Sequence, residues 1–196
     1  NFPLMIAAEF IGPALATGNA IVAKPPAITP LACLALGELL TEAGVPLGLV
    51  SILPGEGAVG ERLVTNEGID AIGFVGSSAT ADKIVRSAGL KRSIIEASGN
   101  GPVVVLADAD ITKAAEAAVY GAYWNAGQVC CATERVIVDS SIKDEFGQAA
   151  LKAAEAVSLG DPFDEKTLMG PLCNEMTAAK MDTHVADAVQ QGASVL

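Results

Sequence analysis

The strongest constraint in this sequence is a beat in its first hundred residues, where short apolar runs alternate with helix-length stretches. Runs at 20–23, 49–53, 71–75 and 93–96 each read as a buried strand. Between them, 58–65 and 78–88 have helical spacing, and so does the stretch after Thr29-Pro30, with Leu31, Leu34, Leu39 and Leu40 in step. Thr29 is expected as its cap and Pro30 in its first turn, with Gly44 and Pro46 closing it. Strands of about five residues joined through helices predict βαβ units and a parallel sheet covered on both faces. Ligands of such sheets bind at the carboxyl ends of the strands.

The beat breaks at Ala97-Ser98-Gly99-Asn100-Gly101-Pro102, a glycine-rich turn that predicts a junction between a domain over 1–97 and another over 98–196. Beyond it, 103–106 and 135–138 read as strands. Asp110 or Thr112 is expected to cap a helix reaching about Trp124, and further helices are expected over 140–157 and 175–191. Residues 125–133 have no clean period. Residues 192–196 read as the entry to a strand. With an opening Asn1-Phe2-Pro3-Leu4 that runs straight into a helical pattern, the sequence is expected to be a piece of a longer chain.

Composition narrows the function classes. The formal charge is −11, the wrong sign for neutralising nucleic-acid phosphates or an anionic membrane surface. Aromatic residues are only 4%, so the core must be built from Ala, Val, Leu and Ile. Four cysteines without a CxxC pair, and a single histidine, argue against a zinc site or any other metal centre. No signal peptide or membrane-length apolar run is visible. The expectation is a soluble cytoplasmic α/β protein.

Several residues could carry chemistry. Gly55-Glu56-Gly57-Ala58-Val59-Gly60 is a literal GxGxxG, but the acid that a dinucleotide fingerprint needs at the end of the next strand is missing. A pyrophosphate loop and a plain tight turn both remain open for it. Gly76-Ser77-Ser78, at a strand-to-helix junction, is either an anion site or an ordinary serine cap. Lys24, at a strand end before Pro25-Pro26, could hold a ribose or phosphate or simply face solvent. Cys130 lies in a loop of small and polar residues, unlike Cys33 and Cys173, which read as packing residues. A cysteine hydrolase would need a histidine, and His184 sits on a charged helix far along the chain. The natural candidate base is Glu96, among the apolar Ile94, Ile95 and Ala97, and the alternative for it is a strand-end acid that is solvated or paired with Lys91 or Arg92.

In their order, these segments resemble the aldehyde dehydrogenase superfamily. Asn1-Phe2-Pro3 resembles the end of its Trp-Asn-Phe-Pro segment, and Gly18-Asn19-Ala20-Ile21-Val22-Ala23-Lys24-Pro25 its cofactor-ribose motif. Phe74-Val75-Gly76-Ser77 is similar to its phosphate turn, Ile95-Glu96-Ala97-Ser98-Gly99-Asn100 to its glutamate motif, and Gly127-Gln128-Val129-Cys130 to its cysteine motif. The resemblance implies a Rossmann-like parallel sheet with flanking helices (the second part of a cofactor domain) joined to the first part of an α/β catalytic domain. It implies Cys130 as nucleophile and Glu96 as the base that activates the hydrolytic water. Asn1 and the Cys130 N–H would donate to the oxyanion. For the cofactor, it implies Lys24 at the adenosine ribose, Gly76 and Ser77 at the pyrophosphate, and Gly57 near the adenosine.

Three departures inform this reading. Ala27 stands where NAD-preferring members commonly carry glutamate, so both NAD and NADP stay open. Ala81 replaces a glycine after the phosphate turn, and Gly101 a small polar residue. Retention of Glu96 implies water, rather than coenzyme A, as acyl acceptor. The resemblance also implies a small-molecule aldehyde substrate, with Tyr123 and Trp124 as tunnel or core residues, and a homodimer or homotetramer as the intact protein. The alternative is an inactive cofactor-binding piece or scaffold, and the isolated stretch is expected to be inactive.

Overall fold

The computed structural model describes residues 1–196 and divides into two compact units, Asn1–Ser98 and Gly99–Leu196. The first unit runs α1 (Pro3–Ala16), β1 (Ile21–Ala23), α2 (Leu31–Glu42), β2 (Val50–Ile52), α3 (Gly57–Thr65), β3 (Ala71–Gly76), α4 (Ser78–Ala88) and β4 (Arg92–Ala97). The second runs β5 (Gly101–Val105), α5 (Ile111–Tyr123), a 3-10 turn (Trp124–Gly127), β6 (Thr133–Val138), α6 (Lys143–Glu155) and α7 (Glu175–Gln190). The class is α/β, and every strand pairing is parallel.

Helix ends follow local chemistry. Gly18 and Gly44 take left-handed φ of 76° and 87° and close α1 and α2. At each, two amides turn back onto the last carbonyls, as with Gly44 N–H to Thr41 and Val45 N–H to Leu40. Thr29, however, does not cap α2. The helix begins one residue later, with Pro30 at the cap position and no side-chain cap bond. Of the two caps open for α5, Asp110 is the one used, accepting from the Lys113 N–H at 3.2 Å. The helix expected from 140 starts at Lys143, because the Asp139 carboxylate captures both the N–H and the hydroxyl of Ser141 and folds 139–142 into a turn. No strand forms at 192–196, where Gly192 (φ 96°) instead closes α7.

The predicted sheet is present as pairs. β1 with β2, β3 with β4, and β5 with β6 form three two-stranded ladders. Phe10 of α1 lies against Gly73 of β3, where a Cβ would come within 2.5 Å of its ring. Ile94, Val104 and Ile137 are 73%, 62% and 56% exposed, so coverage of both faces is not achieved within this chain. In the second unit, Val105, Ala115, Ala118 and Phe146 form one buried cluster. In the first, Cys33 is fully buried in α2, and burial pushes its thiol pKa up, as befits a packing residue.

Candidate active site

In the first unit, the strand ends present two clusters. The first is built on Lys24, just past β1 and half-buried. Its ammonium donates to the carbonyls of Pro25 at 2.8 Å and Gly55 at 3.1 Å. An ammonium has three donors, so one remains for a ribose hydroxyl or phosphate oxygen. Gly55 has φ of 154°, and a Cβ there would stand 2.5 Å from the Val59 side chain. Gly60 lies against the Lys24 stem, where a Cβ would make an ordinary 3.5 Å contact. A Cβ at Gly57 would meet nothing within 4 Å, so nothing inside the chain requires glycine there. Gly55 and Glu56 of the GxGxxG thus lead into α3, whose first residues are Gly57 to Gly60.

The second cluster joins the ends of β3 and β4. Glu96 pairs in register with Val75, and Ala97 with Gly76. Ser77 caps α4, its hydroxyl oxygen accepting from the Thr80 N–H at 3.3 Å. The Ser78 N–H donates to the Ser98 hydroxyl at 3.3 Å, and the Ser78 hydroxyl donates to the Ala97 carbonyl at the same distance. Two first-turn amides of α4 thus already have hydroxyl partners, and an incoming phosphate would bind among hydroxyls as well as bare amides. Ser98 holds this knot with φ of 67° and donates its own N–H to the Gly76 carbonyl at 2.8 Å. Nothing in the sequence singled out Ser98, since the glycine-rich turn gave no sign of which residue would go left-handed.

Glu96 itself is exposed, as are Ile94 and Ala97 beside it, while Ile95 is half-buried. The apolar burial expected around the carboxylate is not present within its own unit. Asn1 and Ala27 are also exposed, and no hydrogen bond ties them to either cluster.

In the second unit, Cys130 sits at the tip of a turn closed by the Ala132 N–H donating to the Val129 carbonyl at 3.1 Å. Val129 and Ala132 are buried and anchor the turn, while Cys130 and Cys131 are exposed. The preceding backbone is irregular, with Asn125 and Ala126 left-handed at φ 52° and 55°. Gln128 fastens the loop. Its side chain donates to the Asn125 carbonyl at 2.9 Å and accepts from the Cys173 N–H at 2.9 Å. On the other side runs Gly99-Asn100-Gly101, where a Cβ on Gly99 would overlap the Cys130 carbonyl and one on Gly101 the Ala132 carbonyl. That close approach explains glycine at 101, which read as an unexplained departure in the sequence. Tyr120, Tyr123 and Trp124 lie exposed at the end of α5.

The whole chain, residues 1–196, matches the Aldehyde dehydrogenase family. It is 39% identical to the lactaldehyde dehydrogenase of Methanocaldococcus jannaschii, over all of this chain and 43% of that protein. It is also 39% identical to the betaine aldehyde dehydrogenase of Bacillus subtilis, over all of this chain and 40% of that protein. Among solved structures, an indole-3-acetaldehyde dehydrogenase complexed with NAD+ superposes with a TM-score of 0.97 at 36% identity, over 100% of this chain and 40% of that one. A 3,6-anhydro-L-galactose dehydrogenase in complex with NAP gives 0.96 at 40% identity, over 100% and 42%. The chain thus spans about two fifths of the length of these relatives. Full-length matching of sequence and backbone alike makes this chain a member of the aldehyde dehydrogenase family.

Proposed function

We propose that the whole protein oxidises an aldehyde to a carboxylic acid with NAD or NADP, and that Cys130 is its nucleophile. The observation that carries this reading is the turn 129–132, which holds an exposed cysteine between two buried anchors with its carbonyl packed on Gly99. The Cys130 thiolate attacks the aldehyde carbon, and the resulting oxyanion accepts from the Cys130 N–H and the Asn1 side-chain amide. Each preorganised donor of this kind contributes about 3–4 kcal/mol to the transition state. The chemistry supplied by a bound nicotinamide is acceptance of a hydride, which leaves the acyl group on sulfur as a thioester. Glu96 takes a proton from water, the water attacks the thioester, and the acid leaves as the thiol is restored.

The cofactor fits the residues present. Lys24 keeps one donor for the ribose, Gly76-Ser77 offer the pyrophosphate a helix N-terminus, and the open space over Gly57 admits a group from outside. The family relatives solved with NAD+ and with NAP support either cofactor. Ala27 places no carboxylate where one would repel a 2′-phosphate. The two units are, in this reading, part of a cofactor-binding domain (1–97) and part of a catalytic domain (98–196), the intact protein being a homodimer or homotetramer. The free thiols of Cys33, Cys131 and Cys173 fit a reducing compartment such as the cytoplasm.

The test is single-turnover NAD(P)H formation by the full-length protein. Cys130→Ala lowers the burst by at least about 1,000-fold, as loss of a covalent nucleophile does. Glu96→Gln keeps the burst but stalls turnover at the thioester. A normal steady state in Glu96→Gln overturns the role of that residue, and a normal burst in Cys130→Ala overturns the mechanism.

One observation favours a second reading, a piece that does not act by itself. The chain exposes 13513 Å², where a folded monomer of its mass exposes about 8,600 Å². A cooperative thermal melt of residues 1–196, raised by NAD or NADP, would instead show a self-sufficient binding domain.

A further inference from the structure

We infer that Gln128 is a positioning residue for the reaction: its side-chain amide sets where Cys130 stands, by tying a left-handed turn to a distant backbone N–H. The inference rests on the reading of Cys130 as nucleophile.

The backbone just before the cysteine is costly. Asn125, Ala126 and Gly127 take φ of 52°, 55° and 72°, three consecutive left-handed residues of which only the last is a glycine. A Cβ disfavours this region, and such a run persists only where its surroundings hold it. The holding bonds converge on Gln128, which is half-buried. Its N–H and its Nε2 both donate to the Asn125 carbonyl, at 3.1 Å and 2.9 Å. The Asn125 side-chain amide returns a bond to the Gln128 carbonyl at 3.2 Å. On its other side, Gln128 Oε1 accepts from the Cys173 N–H at 2.9 Å, 45 residues along the chain.

A carbonyl can only accept and an N–H can only donate, so this place asks for a donor and an acceptor on one planar head. A carboxylate lacks the donor, an ammonium lacks the acceptor, and asparagine is one methylene short. Cys130 follows two residues on, past buried Val129. A small shift of the turn is therefore passed to the sulfur, where placement decides the rate.

The test is single-turnover NAD(P)H formation by the full-length protein at saturating aldehyde and nucleotide. The burst amplitude counts folded sites, and its rate constant reports how the sulfur is placed. Gln128→Met keeps the length of the side chain and loses both of its hydrogen bonds. The expected result is a rate constant about tenfold lower, with amplitude and nucleotide affinity unchanged. Cys173→Pro removes the N–H at the far end and is expected to match it, with the double variant no slower than either single one. Cys173→Ala keeps that N–H and behaves as the wild type. Hydrogen exchange reads the same turn without catalysis: in Gln128→Met the peptide over 125–132 exchanges at least about tenfold faster while α6 is unchanged. A lower amplitude at an unchanged rate constant, or faster exchange throughout the second unit, would show a structural role only and overturns the assignment. Wild-type exchange over 125–132 in Gln128→Met overturns it as well. A burst retained in Cys130→Ala overturns the nucleophile reading and this one with it. A burst lost in Cys130→Ala but unchanged in Gln128→Met overturns this one alone.

Discussion

The two units present their candidate residues by different means. In the first, Lys24, Ser77 and Glu96 stand at the ends of regular strands or at a helix cap, and side chains secure the geometry. Lys24 reaches two carbonyls, and Ser78 and Ser98 join neighbouring strand ends. In the second, Cys130 stands on an irregular loop that the Gln128 side chain fastens at its base and that lies backbone against backbone at its tip, with two glycines laid along the carbonyls of Cys130 and Ala132. A side-chain hydrogen bond can be replaced by water or a neighbour at modest cost. Two peptide planes in contact leave no room for a methyl group. The nucleophile is therefore expected to tolerate less change in its frame than the cofactor residues do in theirs.

Gly99→Ala is the sharpest way to break that comparison. The new Cβ would occupy the place of the Cys130 carbonyl, so the turn must shift, and a displacement of about 1 Å at a reacting group costs on the order of 100-fold in rate. The expected result is that loss in the NAD(P)H burst of the full-length protein, with nucleotide affinity unchanged. An unaffected burst would mean that the backbone contact does not position the thiol.

Gly55→Ala is the matching test in the first unit and is expected to do less to the chemistry. The substitution meets φ of 154° and the Val59 side chain at 2.5 Å. Strain and overpacking of this kind cost about 1–3 kcal/mol. The Gly55 carbonyl also holds the Lys24 ammonium, so nucleotide affinity should fall together with the denaturation midpoint. The single-turnover rate at saturating nucleotide should stay near that of the wild type. If it falls further than in Gly99→Ala, the contrast between the units is wrong.

How much of this was readable in advance follows the same division. The βα beat gave the order of elements in the first unit, and α4 occupies the residues expected for it because Ser77, Ala81 and Ala88 fit a cap and a buried stripe. Lys24, Ser77 and Glu96 could be singled out because they fall at element ends, where a period stops. Residues 125–133 have no period, and the left-handed turns at Asn125 and Ala126 depend on packing that no local pattern announces. Ser98 escaped notice for the same reason. Which strand faces stay open within this chain was not readable, because an apolar strand shows that a face wants burial without showing what buries it. Ile94, Val104 and Ile137 are the instances.

The smallest expected effect tests whether α5, which leads into the nucleophile loop, depends on its cap. The Asp110 carboxyl is held below its ordinary pKa, chiefly by the Lys113 backbone N–H and then by the Lys113 side chain. Asp139 is likewise lowered by the Ser141 hydroxyl and N–H. With a folded pKa below the unfolded one, each contributes stability that is complete above the usual carboxylate range near pH 4. That contribution is lost as pH falls through the folded value, where the unfolded chain has already taken up the proton. Asp110→Ala should lower the melting temperature by no more than about 5 °C at neutral pH, since the carboxylate is exposed and water competes for the amide. Asp110→Asn keeps an acceptor for the Lys113 N–H but cannot titrate. It should melt like the wild type at neutral pH and lose less stability on acidification, with the remaining slope carried in part by Asp139. Identical acid limbs for Asp110→Asn and the wild type would show that the carboxylate at this cap is not linked to folding.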